Sequence, residues 1–194
     1  MKRRSTYLAV ILFLIYLALL VWIILFKLQF SISDLDKIRS VNIIPFHYDK
    51  KIGAAFHLTE VLENVLIFMP MGIYLQMLLS KAKFYAKIMV IAGTSLLLET
   101  TQYVLAIGRS DITDLLTNTA GGFLGLALYC IVAWLLRKRE RADKLFFVLA
   151  VIASVVVIGL LAFILLMNRL EVYLCRIKKL RQKSVLECVY TCRC

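Results

Sequence analysis

The chain has 194 residues, of which 62% are hydrophobic and 19% are charged, whereas a soluble domain is about half apolar and about a quarter charged. This composition excludes an ordinary soluble domain and predicts a protein whose main partner is the lipid bilayer. The formal net charge is +12, but the basic residues lie at the ends of apolar segments and form no patch interleaved with aromatic residues, which excludes nucleic acid as the expected partner.

The first apolar segment, residues 7–26, follows a basic Met-Lys-Arg-Arg start. It is longer than the core of a signal peptide and no small-residue cleavage site follows it, so we predict an uncleaved membrane anchor. Residues 27–59 then form the one sizeable polar loop. This loop contains His47 and His57, both predicted to be ordinary loop residues, and a stretch before Pro45 that the proline biases towards an extended backbone.

Four further apolar segments follow, at about residues 61–79, 84–107, 115–136 and 145–167. Because each is long enough to cross the hydrocarbon core, the chain is predicted to be an all-α, polytopic membrane helical bundle with about five transmembrane helices. In the second segment, Pro70 and Gly72 predict a kink whose freed carbonyl is satisfied by neighbouring groups. The membrane domain is predicted to cover residues 1–167.

Residues 168–194 are predicted to form a basic, cysteine-containing tail. Apolar residues recur at helical spacing among its cations, which indicates an amphipathic helix on an anionic leaflet. Cys130 lies inside an apolar segment, and the other cysteines crowd the tail: Cys175, Cys188, Cys192 and Cys194. This odd number and spacing predict free or lipid-modified thiols and no disulfide framework. We predict no metal site and no cofactor, and the sequence leaves the oligomeric state open.

The distribution of Lys and Arg predicts a cytoplasmic N-terminus, because basic residues are retained on the cytoplasmic side. In that orientation eleven Lys and Arg lie on the cytoplasmic side, against six in the external connections before the tail. The eleven are Lys2, Arg3, Arg4, Lys81, Lys83, Lys87, Arg137, Lys138, Arg139, Arg141 and Lys144. Five helices would place the basic tail outside, against the same rule. We give the short internal connections more weight than the tail.

Polar residues that are costly in lipid recur where the second, third and fourth segments meet the external side. Glu99 lies roughly 12 Å from the end of its helix at 1.5 Å per residue, too deep for its side chain to reach the interface. It therefore needs a partner, a water, a metal or its own proton. We predict that seven residues form a polar pocket there: Asn64, Glu99, Gln102, Arg109, Asp111, Asp114 and Asn118.

Structural interpretations of the same residues stay open. Asp111 and Asp114 would complement the positive end of the fourth helix, with Asp111 near its N-cap. Glu60 and Glu63 admit the same interpretation at the start of the second helix. Small residues on one face of the fourth helix are predicted to let helices approach closely: Gly121, Gly122 and Gly125.

Several short motifs occur in a fixed order along the chain. They are Ile44-Pro45-Phe46 in the loop, Asn64 to Gly72 with the sequence Asn-Val-Leu-Ile-Phe-Met-Pro-Met-Gly, Glu99-x-x-Gln102, and the stretch from Gly108-Arg-Ser-Asp111 to Gly125. In order and spacing they resemble the VanZ family, over roughly residues 7–167. The resemblance implies a multi-pass protein of the bacterial cytoplasmic membrane, associated with low-level resistance to glycopeptides such as teicoplanin, above all those with a lipid tail. It brings no established catalytic residues, and the tail departs from the family pattern.

Three functions fit these residues. In the first, which we favour, a non-enzymatic envelope protein binds the lipid-tailed antibiotic or a lipid-linked cell-wall precursor, or alters its exposure, at the external pocket. In the second, a Mg²⁺-dependent enzyme acts on a lipid-linked phosphate or pyrophosphate, with Asp111 and Asp114 holding the ion. Arg109 would then contact phosphate and Glu99 would act as general base. The third is a transporter with a broken helix at Pro70, which five helices without repeats disfavour.

Overall fold

The computed structural model describes the backbone of residues 3–26, 39–42, 54–106 and 108–191. Within these residues lie five helices: α1 (Arg3–Phe26), α2 (Ala54–Leu78), α3 (Phe84–Leu105), α4 (Ile112–Leu135) and α5 (Arg139–Thr191). Each contains a stretch that is long and apolar enough to cross a membrane. The predicted all-α class with five candidate membrane-spanning helices is therefore confirmed.

Two short strands, which the sequence did not predict, join the connections between helices. Strand β1 (Arg39–Asn42) pairs in parallel with β2 (Gly108–Asp111), with Arg39 opposite Gly108 and Asn42 opposite Asp111. The pairing holds the α1–α2 connection against the α3–α4 connection. The end of α1, the start of α2, the end of α3 and the start of α4 consequently lie at one end of the bundle, which we name the cavity end.

Two elements differ in length from the sequence prediction. Helix α2 begins at Ala54, so the backbone of His57 is helical and does not lie in the loop; His47 lies outside the described residues. Helix α5 continues to Thr191, past the predicted boundary at residue 167. That boundary and the placement of the tail on a leaflet stay predictions, and the side chains of the tail cysteines also lie outside the described residues.

Two compact units make up the chain. The first, Met1–Ala150, contains α1 to α4, both strands and the beginning of α5, and its apolar side chains form two buried clusters. The second, Val151–Cys194, is helical as far as Thr191, and most of its described apolar side chains are exposed. Everything that positions the candidate site belongs to the first unit.

Helices α2 and α4 pack with their backbones in close contact. A Cβ atom built on Gly125 would lie 1.9 Å from the carbonyl oxygen of Met69, and one built on Gly121 would lie 2.3 Å from that of Val65. A Cβ on Gly72 would likewise fall 2.0 Å from a carbonyl oxygen of α4. Because real side chains do not approach backbone atoms so closely, only glycine fits at these positions.

Tyr16 of α1 supports α2 beside its proline. The Tyr16 hydroxyl donates a hydrogen bond of 2.8 Å to the carbonyl oxygen of Ile67, three residues before Pro70, and α2 continues through that proline. The Tyr16 ring also packs against Phe13 and Tyr74. Because Pro70 has no N–H, the carbonyl of Leu66 loses its donor, and the Tyr16 hydroxyl adds a donor at the next carbonyl of the same turn.

We expect Tyr16→Phe to lower the free energy of unfolding by about 0.5–1.5 kcal/mol, the net contribution of one hydrogen bond. The ring contacts with Phe13 and Tyr74 remain in this variant, so the loss reports the hydroxyl alone. Thermal unfolding of the purified protein in a defined detergent measures it. Tyr7→Phe is the matched control, because Tyr7 is exposed; equal unfolding temperatures for the two variants would contradict the role of the Tyr16 hydroxyl.

Candidate binding cavity

A cavity of about 330 Å³ opens between α1, α2, α3 and α4 at the cavity end. Five of the seven residues predicted for the polar pocket line it: Asn64 of α2, Glu99 and Gln102 of α3, and Asp114 and Asn118 of α4. Residues from three separate helices therefore meet around one space. The side chain of a sixth, Arg109, lies outside the described residues, although its backbone belongs to β2.

Asp111, the seventh predicted residue, lies beside the cavity and caps α4. Its Oδ1 accepts a hydrogen bond of 2.9 Å from the backbone N–H of Thr113, so it acts as the N-cap that the structural interpretation expected. Its own backbone N–H donates to Oε2 of Glu99 at 3.1 Å. Glu99 is 7% exposed, and this bond ties the end of α3 to the start of α4.

Asn64 joins α2 to α4. Its Nδ2 donates to Oδ1 of Asp114 at 2.7 Å and lies 3.4 Å from the hydroxyl oxygen of Thr117. The neighbouring residue, Val65, is the one whose backbone contacts Gly121. The close glycine contact thus holds the Asn64 amide within reach of the Asp114 carboxylate.

Gln102 and Asn118 also use their amide nitrogens within the protein. Nε2 of Gln102 donates to the carbonyl oxygen of Ile24 at 2.8 Å, and Nδ2 of Asn118 donates to the hydroxyl oxygen of Ser95 at 3.0 Å. Asn118 is only 2% exposed. Its Oδ1 is buried, and no donor among the described residues lies within hydrogen-bonding distance of it.

The rest of the wall combines acids with apolar side chains. Glu60 and Glu63, which the sequence left as helix-terminus acids, line the cavity together with Thr59. Three isoleucines that the sequence did not identify as part of a site also line the cavity: Ile23, Ile24 and Ile67. Their contribution depends on how α1 and α2 face each other, so periodicity within either helix could not reveal it.

A second polar cluster lies at the opposite end of the first unit and was missed by sequence reasoning. Lys87 of α3, 3% exposed, donates to Oε1 of Gln76 at 2.6 Å. Arg139 donates to the backbone carbonyl of Gln76 at 3.2 Å, and the Tyr129 hydroxyl donates to Oδ1 of Asp143 at 2.5 Å. The sequence treated Lys87 and Arg139 only as charges that set orientation. The one sequence feature that could have revealed this cluster is the position of Lys87 inside an apolar segment.

Comparison with known proteins identifies relatives of this chain. The family model described as VanZ/LLP1 matches residues 13–137, which include all of the described residues that line the cavity. Protein VanZ of Enterococcus faecium is 41% identical over 117 residues, which cover 59% of this chain and 69% of that protein. No solved structure matches the chain.

Proposed function

This chain belongs to the VanZ family, and from that membership we propose that it provides low-level resistance to teicoplanin and related lipid-tailed glycopeptides in a bacterial cytoplasmic membrane. In this proposal the cavity binds part of the antibiotic or of a lipid-linked cell-wall precursor, or alters how that molecule is exposed at the outer face. The confirmed resemblance and the five candidate membrane-spanning helices support a membrane protein of this kind.

The observation that carries the proposal is the mixed wall of the cavity. Carboxyl and amide groups come from α2, α3 and α4, and isoleucines of α1 and α2 add apolar side chains. A wall of this composition suits an amphiphile, whose polar head and apolar tail meet within a few ångströms. The volume of about 330 Å³ is at the small end for ligand sites, so it fits a head group and not a whole glycopeptide.

Binding has better support than the Mg²⁺-dependent enzyme. The two acids expected to hold the ion already have other partners, since Asp111 caps α4 and Asp114 accepts from Asn64. Among the described residues, no three His, Cys, Asp or Glu side chains converge as a metal-holding group. The transporter alternative gains no supporting observation, because α2 runs through Pro70 as one helix.

The experiment is a susceptibility assay in glycopeptide-sensitive Gram-positive cells that lack the protein. We expect the wild-type chain to raise the inhibitory concentration of teicoplanin more than that of a glycopeptide without a lipid tail. Asp114→Asn and Glu99→Gln should lower the inhibitory concentration of teicoplanin towards that of cells without the protein. The reason is that losing one hydrogen bond to a charged group weakens binding about tenfold or more.

The control for these variants is Glu140→Gln, which removes an exposed carboxyl group outside the cavity. All variants are compared at equal amounts of membrane-inserted protein, measured by immunoblot of the membrane fraction. Full protection by both cavity variants at matched levels would refute the role of the cavity.

A further inference from the structure

The end of the first unit opposite the cavity carries a large excess of positive charge. We name it the cation end; the starts of α1, α3 and α5 and the ends of α2 and α4 lie there. Residues 79–90 and 136–150 hold two acids, Glu140 and Asp143, which can neutralise only a small part of the cations. The cations of these two stretches are Lys81, Lys83, Lys87, Arg137, Lys138, Arg139, Arg141 and Lys144.

The rest of the chain does not compensate this excess. In the described part of the chain no ion pair joins these cations to either acid, and Asp143 instead accepts from the Tyr129 hydroxyl. The other acids of the first unit lie in the α1–α2 connection or at the cavity end. The chain before α1 and its first residues add Lys2, Arg3 and Arg4, whose side chains lie outside the described residues. The second unit has seven Lys and Arg against two acidic residues, so it also adds positive charge.

Two of the cations are bonded to one residue, Gln76 near the end of α2. Nζ of the buried Lys87 donates to the Gln76 side-chain oxygen, and Arg139 donates to the Gln76 backbone carbonyl. A helix C-terminus carries only about half a negative charge, which does not offset two cations. Three helix N-termini also meet at the cation end, against two C-termini, so the helix dipoles add to the positive charge. A bound anion would lower the repulsion between Lys87 and Arg139.

Exposed aromatic side chains place these cations at the depth of lipid head groups. Tyr7, Tyr85 and Trp134 are exposed, and each lies close to the end of its helix at the cation end. Such residues gather where the hydrocarbon core meets the head groups. Nζ of Lys83 lies 5.7 Å from the centroid of the Tyr85 ring, and the Arg137 backbone N–H donates to the carbonyl oxygen of Trp134. The cations therefore lie beside the aromatic side chains, where lipid phosphates are found.

Arg137 combines a suitable group with an unusual backbone. Its guanidinium group is exposed, and such groups bind phosphate oxygens through two parallel hydrogen bonds. Its φ of 51° lies in the left-handed region, which favours glycine after a helix end. Replacing Arg137 by glycine therefore removes a charge without harming the fold.

We propose that the cation end binds the phosphate groups of anionic phospholipids, with Lys83, Arg137 and Lys138 as exposed contacts and Lys87 adding to the field. Phosphatidylglycerol is the simplest such lipid, because its head group has no amine or choline to cancel the charge of its phosphate. The site is separate from the cavity and goes beyond the proposed function. No antibiotic enters its test, so the two proposals stand or fall independently.

The two tryptophans of the chain report separately on the two ends. Trp134 lies at the cation end, and Trp22 lies near the end of α1 at the cavity end. The whole Trp22→Phe chain is placed in phosphatidylcholine nanodiscs with a minor fraction of a lipid whose brominated acyl chains quench indole fluorescence on contact. Quenching by brominated phosphatidylglycerol is compared with quenching by brominated phosphatidylcholine at several equal fractions. Trp134→Phe is the matched control for the other end.

We expect the association constant for phosphatidylglycerol at Trp134 to exceed that for phosphatidylcholine at least about fivefold, the effect of one Lys or Arg at an anionic surface. Added salt should reduce this preference, because exposed charges are screened. At Trp22 the preference should be much smaller. Equal constants for the two lipids at Trp134, or the same preference at Trp22, would overturn the proposal.

Variants then assign the contact. Arg137→Gly combined with Lys138→Ala should reduce the preference at Trp134 towards equal binding, while the unfolding temperature stays unchanged or rises. Glu140→Gln should raise the preference, because it removes an acid from the same end. Arg137→Lys keeps the charge and should keep most of the preference. An unchanged preference in the folded double variant would show that lipid phosphate does not bind at the α4–α5 connection.

Inorganic phosphate separates a lipid from a soluble anion. At the same ionic strength as a chloride buffer, phosphate should leave the preference for phosphatidylglycerol intact, because it has no acyl chains to hold it beside Trp134. Loss of the preference in phosphate but not in chloride would show that the cation end binds soluble anions, and the assignment to lipid would be wrong.

Discussion

Replacing Gly125 by alanine should sharply reduce the amount of folded protein, because the added Cβ would lie 1.9 Å from the carbonyl oxygen of Met69. The obstructing atom is backbone, so no side-chain rotation relieves the clash and α2 must move away from α4. Overpacking of this kind costs about 1–3 kcal/mol or more. Thermal unfolding in detergent and protease resistance in membranes both measure the loss.

Gly93→Ala is the matched control for that variant. Gly93 lies in α3, and a Cβ built on it would meet no atom within 4 Å, so alanine should leave stability unchanged or raise it by up to about 1 kcal/mol through its higher helix propensity. The difference in stability between the two variants measures the effect of helix packing separately from the effect of helix propensity. Equal stability of the two variants would mean that α2 and α4 do not pack as closely as described.

The glycine contact should also control the cavity. If α2 moves away from α4, Asn64 can no longer reach Asp114 across the present 2.7 Å. Whatever Gly125→Ala protein remains folded should therefore protect less against teicoplanin than an equal amount of the wild-type chain. This second readout separates a change in cavity geometry from a simple loss of protein.

Tyr129→Phe is expected to lower the free energy of unfolding by about 1.5–3 kcal/mol, the range for a hydrogen bond to a charged group. Asp143 is 5% exposed and accepts from the Tyr129 hydroxyl at 2.5 Å. The substitution leaves that buried carboxylate without this donor. Phenylalanine keeps the stacking of the ring on Phe146, so the loss reports the hydroxyl group.

A double-mutant cycle tests the Tyr129 prediction. Asp143→Leu alone should also destabilise the protein, but in combination with Tyr129→Phe the cost should be well below the sum, because neither buried group then lacks its partner. Tyr85→Phe is the control, since Tyr85 is exposed. Strictly additive losses would show that Tyr129 and Asp143 do not interact.

Several features of the fold could be predicted from local sequence. The apolar segments predicted the five helices, since crossing a membrane depends on the length and composition of one segment. The stripe Gly121, Gly122, Gly125 indicated a close helix contact but not its partners, which are α2 at Gly121 and Gly125 and Ile91 of α3 at Gly122. The pairing of β1 with β2 had no signal, because residues 39–42 and 108–111 are far apart in the chain and only the fold brings them together.

The candidate site could likewise be predicted only in part from local sequence. Asn64, Glu99, Gln102, Asp114 and Asn118 stood out because polar groups are costly in lipid, and the structure places them around one cavity. Glu60 and Glu63 could not be told from ordinary acids at a helix start. The isoleucines of α1 could not be predicted either, since nothing within that helix marks which residues face α3.

The sequence by itself determined that this protein belongs in a membrane and which polar residues need partners there, because both follow from the cost of placing each residue in hydrocarbon. Only the tertiary structure decided which partner each residue has. Hydrogen bonds depend on differences of a few tenths of an ångström between helices, and here the contact of Gly125 with Met69 and of Gly121 with Val65 sets that spacing. The result is a cavity around which three amide nitrogens, those of Asn64, Gln102 and Asn118, each donate a hydrogen bond within the protein.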